Sequence, residues 1–306
     1  MTMARLLTGK PVVEALNADT RARIHALAER GVAPKLVIVR CGEAPSDLAY
    51  ERGAKARAEA VGVFAEVRAL PEDVTAEALI GLLQEINADP AVHGALMLRP
   101  LPRHLRDREQ EICDTLIADK DVDGMTTRSA AGVFEGRSDM GYPPCTPQAC
   151  IEILDHYGVE LKGSKVAVIG RSLVVGKPVA MLLMGRHATV TVCHTRTVDV
   201  AAETRRADIV VTAAGALKSL TADFVRPGQV IVDVSVNWDP EKPNARGGLG
   251  AMAGDAAFDA VSAVVDAITP VPGGVGAVTT GVLMRHVVEA AERLTGECAN
   301  GENTQS

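Results

Sequence analysis

Apolar positions in the first half of the chain follow two different periods. Strands are predicted at 35–40, 64–70 and 94–98, and the apolar run inside the first is of the buried type. Helices are predicted over 12–30, before the first strand, and over 45–62 and 75–88, between the strands, because apolar residues recur there every three to four positions. Pro100-Leu-Pro102 ends the third strand. Strands that alternate with helices favour a parallel sheet, so this half is predicted to be an α/β domain.

The same alternation resumes after a proline-rich boundary at Pro143-Pro144 and Pro147. A helix is predicted from Gln148 to Tyr157, and a long helix from about 279 to 294. Further strands are predicted at 165–170, 188–193, 208–213, 229–234 and 263–268. The polar segment 297–306 is predicted to be a frayed tail.

Composition narrows the class of protein. A length of 306 residues favours two domains, and 47% hydrophobic with only 3% aromatic residues suits small aliphatic cores. A net charge of −7 without a dense Lys/Arg run argues against nucleic-acid binding. The N-terminus lacks a signal-peptide core, and no apolar run is long enough to span a bilayer. The six cysteines form no C-x-x-C pair, so we expect no metal site, no disulfide framework and a cytoplasmic location.

The segment Ile268-Thr-Pro-Val-Pro-Gly-Gly-Val-Gly276 combines two prolines, which fix φ, with three glycines, which free it. Bare backbone between an apolar run and a helix lets a ligand approach closely, although a purely structural turn explains this segment equally well. The Val271–Pro272 bond in it is a candidate cis peptide. A second segment of this kind, 166–176, lies upstream and strengthens the ligand interpretation.

The upstream segment is predicted to bind a dinucleotide. A strand runs into Gly170, and a helix follows Gly176, so backbone N–H groups are available for a pyrophosphate. The spacing is G-x₅-G rather than G-x-G-x-x-G, which leaves plain strand–helix packing as the alternative. The next strand ends in His194-Thr195-Arg196, where an NAD site usually has a carboxylate. Together with Arg171, Arg196 suits a 2′-phosphate, which favours NADP over the alternative of two solvated surface arginines.

Several motifs together resemble the methylenetetrahydrofolate dehydrogenase/cyclohydrolase family, and the resemblance covers roughly residues 5–296. The matching stretches are Lys120-Asp-Val-Asp-Gly124, Pro144-Cys-Thr-Pro147, 170–178, Val192-Cys-His-Thr195, Gly254-Asp255 and 268–276, in the order of the family. The resemblance implies an N-terminal three-layer α/β domain that binds folate (1–147 with the helix 277–297) and a Rossmann domain with a parallel sheet that binds NADP (148–276). It also implies a cleft between the domains, a tail at 298–306 and a homodimer.

The resemblance also implies residues for the site. Tyr50 and Asp123 are the expected catalytic residues, with Tyr50 stacking on the folate rings and Asp123 accepting paired N–H bonds from the pterin. The expected substrate site is completed by Asp47, Leu98, Pro272 and Gly273. The expected cofactor site is Gly170, Arg171, Ser172, Gly176, His194, Thr195, Arg196, Ala214 and Gly215.

The departures from the family concern its folate pocket. The family has a lysine four residues after the tyrosine, and the spacing from Pro45 to Gly62 assigns that position to Ala54. Lys55 is one residue off, about 100° around a helix. Leu98 stands where the family has a glutamine, and Asp47 where it has a serine.

These departures predict NADP-dependent oxidation of 5,10-methylenetetrahydrofolate with a weak or lost cyclohydrolase, because the family's lysine and glutamine serve the hydrolytic step. Three alternatives stay open. The enzyme is fully bifunctional through Lys55 or Arg99, or it oxidises another pterin or an amino-acid-like substrate, or it is a silent ligand-binding paralogue. The intact glycine loops favour an enzyme over a silent paralogue.

Overall fold

The computed structural model describes residues 3–244 and 248–296, so the tail predicted at 298–306 lies outside the described residues. The strands are β1 (Arg5–Leu6), β2 (Lys35–Cys41), β3 (Phe64–Leu70), β4 (Gly94–Met97), β5 (Lys165–Ile169), β6 (Thr189–Cys193), β7 (Ile209–Thr212), β8 (Val230–Asp233), β9 (Asn237–Pro243), β10 (Leu249–Ala253) and β11 (Ala267–Ile268). The α-helices are α1 (Gly9–Glu29), α2 (Pro45–Val61), α3 (Ala76–Ala88), α4 (Glu109–Cys113), α5 (Thr127–Glu135), α6 (Cys145–His156), α7 (Gly176–Gly185), α8 (Val200–Arg206), α9 (Phe258–Ser262) and α10 (Val275–Leu294).

The chain forms two compact units, which are described separately. The six-stranded unit comprises the chain up to Glu14 together with Thr146–Thr279. The three-stranded unit comprises Ala15–Cys145 together with the chain from Thr280 onward. Both contain parallel sheets, as the alternation of strands and helices predicts.

The three-stranded unit has three layers. Its sheet has the order β3-β2-β4, and one face packs Val37 and Val39 against the apolar residues of α3. Side chains alternate along a strand, so Arg40 lies on the opposite face, where it bonds to Glu51 of α2. Val287 of α10 also lies against that face, in the space that a side chain on Gly94 would fill.

The six-stranded unit has the strand order β1-β11-β8-β7-β5-β6, with all neighbours parallel. From β5 the chain passes to β6 on one side and then returns to β7 on the other. The strand order therefore reverses between β5 and β7. Ligands of open α/β sheets bind beyond the carboxyl ends of the strands at such a point.

Two predictions about elements were wrong, and one pair of strands was missed. The strand predicted at 263–268 is only two residues long, because the apolar residues before it form α9 and the turn that follows. Periodicity alone does not separate a short buried strand from a short buried helix. The last helix begins at Val275 rather than 279, so part of the glycine-rich segment is already helical. The antiparallel hairpin of β9 and β10 was missed, since prolines in β9 and glycine in β10 argue against strands.

Two kinds of feature are absent from the described residues. None of their helices is both long and apolar enough to cross a membrane. Within the same residues, no group of three or more His, Cys, Asp or Glu side chains could hold a metal ion. The described cysteines are buried and unpaired by disulfides.

Candidate functional site

The loop after β5 is built on a close approach between two glycines. Gly170 has φ +118°, and a side chain on it would strike the carbonyl group of Ala213. A side chain on Gly176 would strike the carbonyl group of Gly170. The Oγ of Ser172 accepts hydrogen bonds from the backbone N–H groups of Val175 (3.1 Å) and Gly176 (3.3 Å). The loop thus enters α7 tightly, at the carboxyl end of the sheet where a pyrophosphate is expected.

A buried carboxylate organises the loop after β7, on the other side of the switch point. Asp255 is fully buried and accepts hydrogen bonds from the backbone N–H groups of Ala214 (2.7 Å) and Ala216 (2.8 Å). It also accepts from the hydroxyl groups of Thr212 (2.9 Å) and Ser235 (2.7 Å). Charge-assisted bonds of this kind are about twice as strong as neutral ones, so Asp255 fixes the shape of the loop.

The sequence assigned no role to Asp255 beyond its place in the Gly254-Asp255 motif. A second buried carboxylate, Asp233, accepts hydrogen bonds from the backbone of Asp255 (3.1 Å) and Ala256 (2.8 Å). Burial raises the pKa of Asp233 to about 6. Asp233 and Asp255 each stand at the end of an apolar segment, which is a local signal for such a network. Their hydrogen-bond partners are distant in sequence, so the signal does not identify them.

The two arginines predicted for a 2′-phosphate lie after neighbouring strands. Arg171 follows β5, Arg196 follows β6, and both side chains are exposed. Among the described residues, neither guanidinium makes a hydrogen bond or an ion pair. The Nδ1 of His194 accepts from the backbone N–H of Arg196 at 3.1 Å, which shapes the turn around Thr195. The first carboxylate after β6, Asp199, caps α8 through the N–H of Ala202.

The three-stranded unit brings Tyr50, Asp123 and Cys145 together. Tyr50 lies on α2, Asp123 lies in the turn between the 3-10 helix Ala118–Lys120 and α5, and both are half-buried. The thiol of Cys145 donates to the carbonyl oxygen of Val122 at 3.4 Å. Burial, and then the neighbouring carboxylate of Asp123, raise the pKa of this thiol well above its usual range. Sequence reasoning missed Cys145 as a site residue, although Pro144-Cys-Thr-Pro147 was one of the matched motifs.

The side chains of Tyr50 and Asp123 have shifted pKa values. Burial raises the pKa of Asp123 to about 6, while the charge of Arg99 opposes the rise. The pKa of the Tyr50 phenol lies well above its usual range because of burial, and then because of the nearby Asp123 and Cys145. Perturbed titratable groups in one place are typical of functional sites.

The neighbours of Asp123 in the Lys120-Asp-Val-Asp motif are structural. Asp121 is fully buried and accepts from the backbone N–H groups of Met125 and Thr126 (both 2.9 Å) and from the hydroxyl of Ser129 (2.6 Å). The Nζ of Lys120 donates to carbonyl groups at the C-terminus of α3. These bonds hold the turn that presents Asp123.

Two of the three positions that depart from the family pattern are apolar and buried. Ala54 is fully buried, and Leu98 is 7% exposed. Lys55 is exposed on another flank of α2, in a surface depression of about 500 Å³ that Glu59 and Phe64 also line. The structure therefore brings no ammonium group to position 54.

Two further predicted or altered residues lie in this unit. Asp47 is in the first turn of α2, where its Oδ1 accepts from the Oγ of Ser46 at 3.2 Å. Arg99 is 21% exposed, and its Nη1 lies 3.9 Å from Glu109. Arg99 precedes Pro100 through a cis peptide bond, which the sequence did not predict.

Pro272 and Gly273 belong to the six-stranded unit, unlike the other residues predicted to bind substrate. The Val271–Pro272 bond is cis, which confirms that prediction. The carbonyl oxygen of Gly273 accepts from the N–H of Gly9 at 2.7 Å, and that of Val271 accepts from the Nζ of Lys242 at 2.9 Å. This turn is therefore held at two points.

The sequence matches two family descriptions. Residues 7–123 match the catalytic domain of tetrahydrofolate dehydrogenase/cyclohydrolase, and residues 144–295 match its NAD(P)-binding domain. A relative from Carboxydothermus hydrogenoformans, the bifunctional protein FolD, is 47% identical over 294 residues, which are 96% of this chain and 99% of that protein.

Two solved structures are similar over nearly the whole chain. A bifunctional FolD methylenetetrahydrofolate dehydrogenase/cyclohydrolase from Campylobacter jejuni has a TM-score of 0.87 at 33% identity, covering 95% of this chain and 99% of that one. The Trypanosoma brucei N5,N10-methylenetetrahydrofolate dehydrogenase-cyclohydrolase, complexed with NADP and an inhibitor, has a TM-score of 0.88 at 31% identity, covering 97% and 100%. The chain belongs to the tetrahydrofolate dehydrogenase/cyclohydrolase family.

Proposed function

We propose that this protein oxidises 5,10-methylenetetrahydrofolate to 5,10-methenyltetrahydrofolate with NADP⁺, and that its cyclohydrolase activity is weak or absent. The observation that carries the second half is the pair of apolar, buried side chains Ala54 and Leu98, with Lys55 exposed on another flank of α2. The first half is supported by the family membership and by the cluster of Tyr50, Asp123 and Cys145.

For the oxidation, the protein mainly has to align the methylene carbon of the folate with the carbon that accepts the hydride. Bound NADP⁺ supplies the hydride acceptor, C4 of its nicotinamide. The methylene bridge loses a C–H bond, and the resulting cation is stabilised by conjugation with the two folate nitrogens. Tyr50 contributes an aromatic face for stacking, and ionised Asp123 contributes two acceptors for the amidine edge of the pterin. Both residues act by positioning the folate for hydride transfer.

The hydrolytic step also requires proton transfer. Water must add to the methenyl bridge and the bond to one nitrogen must open, for which a positioned proton-transfer group contributes about 10²–10⁴-fold. Tyr50 is a poor donor because its pKa lies well above the usual range. Arg99 stays protonated as a guanidinium, and Asp123 is committed to the pterin. The described residues of this unit thus offer no replacement for the missing lysine.

NADP is the proposed cofactor because Arg171 and Arg196 are exposed, unpaired among the described residues and placed after adjacent strands. The T. brucei neighbour was solved with NADP. We further propose a homodimer, as the resemblance implies, to be checked by the mass of the protein in solution.

A second candidate is full bifunctionality. It is favoured by the names of the relatives and by Arg99, whose charge acts on Asp123. A direct test separates the two candidates. Purified protein given methylenetetrahydrofolate and NADP⁺ should form NADPH and the methenyl product in equal amounts, and the methenyl product should then decay no faster than it does without enzyme.

A further inference from the structure

A buried ion pair joins the end of β2 to the first half of α2. The Nε of Arg40 donates to Oε2 of Glu51 at 2.8 Å, and its Nη1 donates to the carbonyl oxygen of Gly42. The side chains of Arg40 and Glu51 are only 9% and 14% exposed. A buried ion pair often stabilises no more than apolar residues of the same size. Stability alone therefore gives little reason for two charges at this place.

Arg40 is the cross-strand neighbour of Leu98. The parallel register pairs Val39 with Met97, and the N–H of Leu98 donates to the carbonyl oxygen of Val39 at 2.9 Å. Val39 and Met97 both belong to the core on the α3 side of the sheet. Because side chains alternate, Arg40 and Leu98 share the other face, on strands about 4.8 Å apart.

Glu51 adjoins the two α2 residues that matter for the folate pocket. It follows Tyr50 directly, and it precedes Ala54 by three positions. Residues three apart on a helix are surface neighbours, with Cβ atoms about 5–6 Å apart. The ion pair thus lies beside Leu98 across the sheet and beside Ala54 along the helix.

We propose that Arg40 and Glu51 are positioning residues for the substrate end of α2, an inference that rests on the proposed function. The guanidinium makes directed bonds to the helix and to the chain after β2, so it fixes the turn that carries Tyr50 relative to the sheet edge that carries Leu98. Arginine does not give up its proton at neutral pH, so the pair orients rather than transfers protons. Hydride transfer needs the reacting atoms in one alignment, and a small tilt of α2 moves Tyr50 out of it.

The test is the double variant Arg40→Met with Glu51→Leu, which removes both charges and leaves neither unpaired. We expect kcat/KM for methylenetetrahydrofolate to fall by about 10–100-fold, through both a lower kcat and weaker folate binding, while KM for NADP⁺ stays unchanged. The matched control is Lys35→Met with Glu66→Leu, which removes a 2.7 Å ion pair at the opposite end of β2. The control should retain wild-type kinetics.

Each outcome bears on the inference. Equal values of kcat/KM for methylenetetrahydrofolate in the two double variants would overturn it. A rise in KM for NADP⁺ that matches the loss in kcat/KM for the folate would also overturn it. If the double variant does not fold, Arg40→Lys keeps the charge but loses the planar fork, and unchanged folate kinetics in it would overturn the inference. A wild-type protein without turnover contradicts the proposed function instead. The pair is then judged by the Kd for tetrahydrofolate, and equal Kd values, or no folate binding by the wild type, overturn the inference.

Discussion

The carboxylate of Asp255 lies 2.7 Å from the backbone nitrogen of Ala214, at the loop that follows β7. Its other oxygen accepts from the N–H of Ala216 at 2.8 Å. One buried side chain thereby sets the conformation of a segment that the resemblance places at the cofactor. The residue itself is fully buried, so its influence on the cofactor is indirect.

Replacing Asp255 by Asn should weaken cofactor binding. The amide keeps the shape but loses the charge and one acceptor, and hydrogen bonds to charged groups contribute about 1.5–3 kcal/mol each. We expect KM for NADP⁺ to rise by about tenfold, with KM for the folate little changed. The control is Asp266→Asn, an exposed carboxylate that accepts from the N–H of Gly228 at 2.9 Å before β8. Equal KM changes in the two variants would contradict a role for Asp255 in the cofactor loop.

Replacing Arg171 and Arg196 by Ala should change the preference between cofactors. NADP carries a 2′-phosphate that NAD lacks, and only that group can gain from two guanidiniums. We expect KM for NADP⁺ to rise by about 10–100-fold and KM for NAD⁺ to change little. Arg186→Ala removes an exposed arginine that is paired with Asp155 and serves as the control. Similar effects on both cofactors would refute the assignment of these residues.

Asp123→Asn should stabilise the protein while destroying its activity. The carboxyl has a pKa of about 6 in the folded protein, against a usual value of 3.8. The folded state therefore binds more protons between about pH 4 and 6, and the wild type gains stability as the pH falls through this window. Above it the buried charge costs up to about 3 kcal/mol, which the neutral amide avoids.

Urea unfolding at about pH 8 and about pH 4 measures this effect. The free energy of unfolding of Asp123→Asn should exceed that of the wild type at the higher pH, and the difference should vanish at the lower pH. Turnover of the folate should be lost at both. Asp121→Asn is the comparison, since that carboxylate has four donors and its loss should destabilise the fold. If Asp123→Asn lowers the free energy of unfolding at about pH 8, burial is not the main contribution of the Asp123 charge to stability.

Much of the nucleotide side could be predicted from sequence, because its signals are local. A short apolar run before Gly170 predicts a strand and a turn, and the structure has β5 ending one residue earlier. The cis bond at Pro272 likewise lies in a segment whose composition signals a tight turn.

The partners inside each site could not be predicted in this way. Cys145 meets Asp123 from 22 residues away, and Asp255 meets Ala214 from 41 residues away. The sequence predicts Arg40 only as the end of an apolar strand. The residues around it do not indicate that its side chain donates to Glu51. Such contacts depend on how elements pack, whereas strand and turn signals depend on neighbouring residues.

The double variant Ala54→Lys with Leu98→Gln should gain cyclohydrolase activity. It places an ammonium group four residues after Tyr50 and an amide at the end of β4 to hold it. We expect decay of methenyltetrahydrofolate to accelerate by about 10²-fold over the wild type, with hydride transfer largely retained. Lys55→Ala is the control and should change neither activity, because Lys55 is exposed on another flank of α2. A loss of hydrolysis in Lys55→Ala would restore full bifunctionality as the better account.

The most direct test of the central claim is one spectrophotometric experiment on the wild-type protein. Methylenetetrahydrofolate and NADP⁺ are added, and NADPH and the methenyl product are followed separately until the cofactor is spent. We predict that both form in equal amounts and that the methenyl product then decays at the rate measured without enzyme. NADPH formation without accumulation of the methenyl product, or decay accelerated by the enzyme, would contradict the loss of cyclohydrolase activity. Absence of NADPH would contradict the dehydrogenase itself.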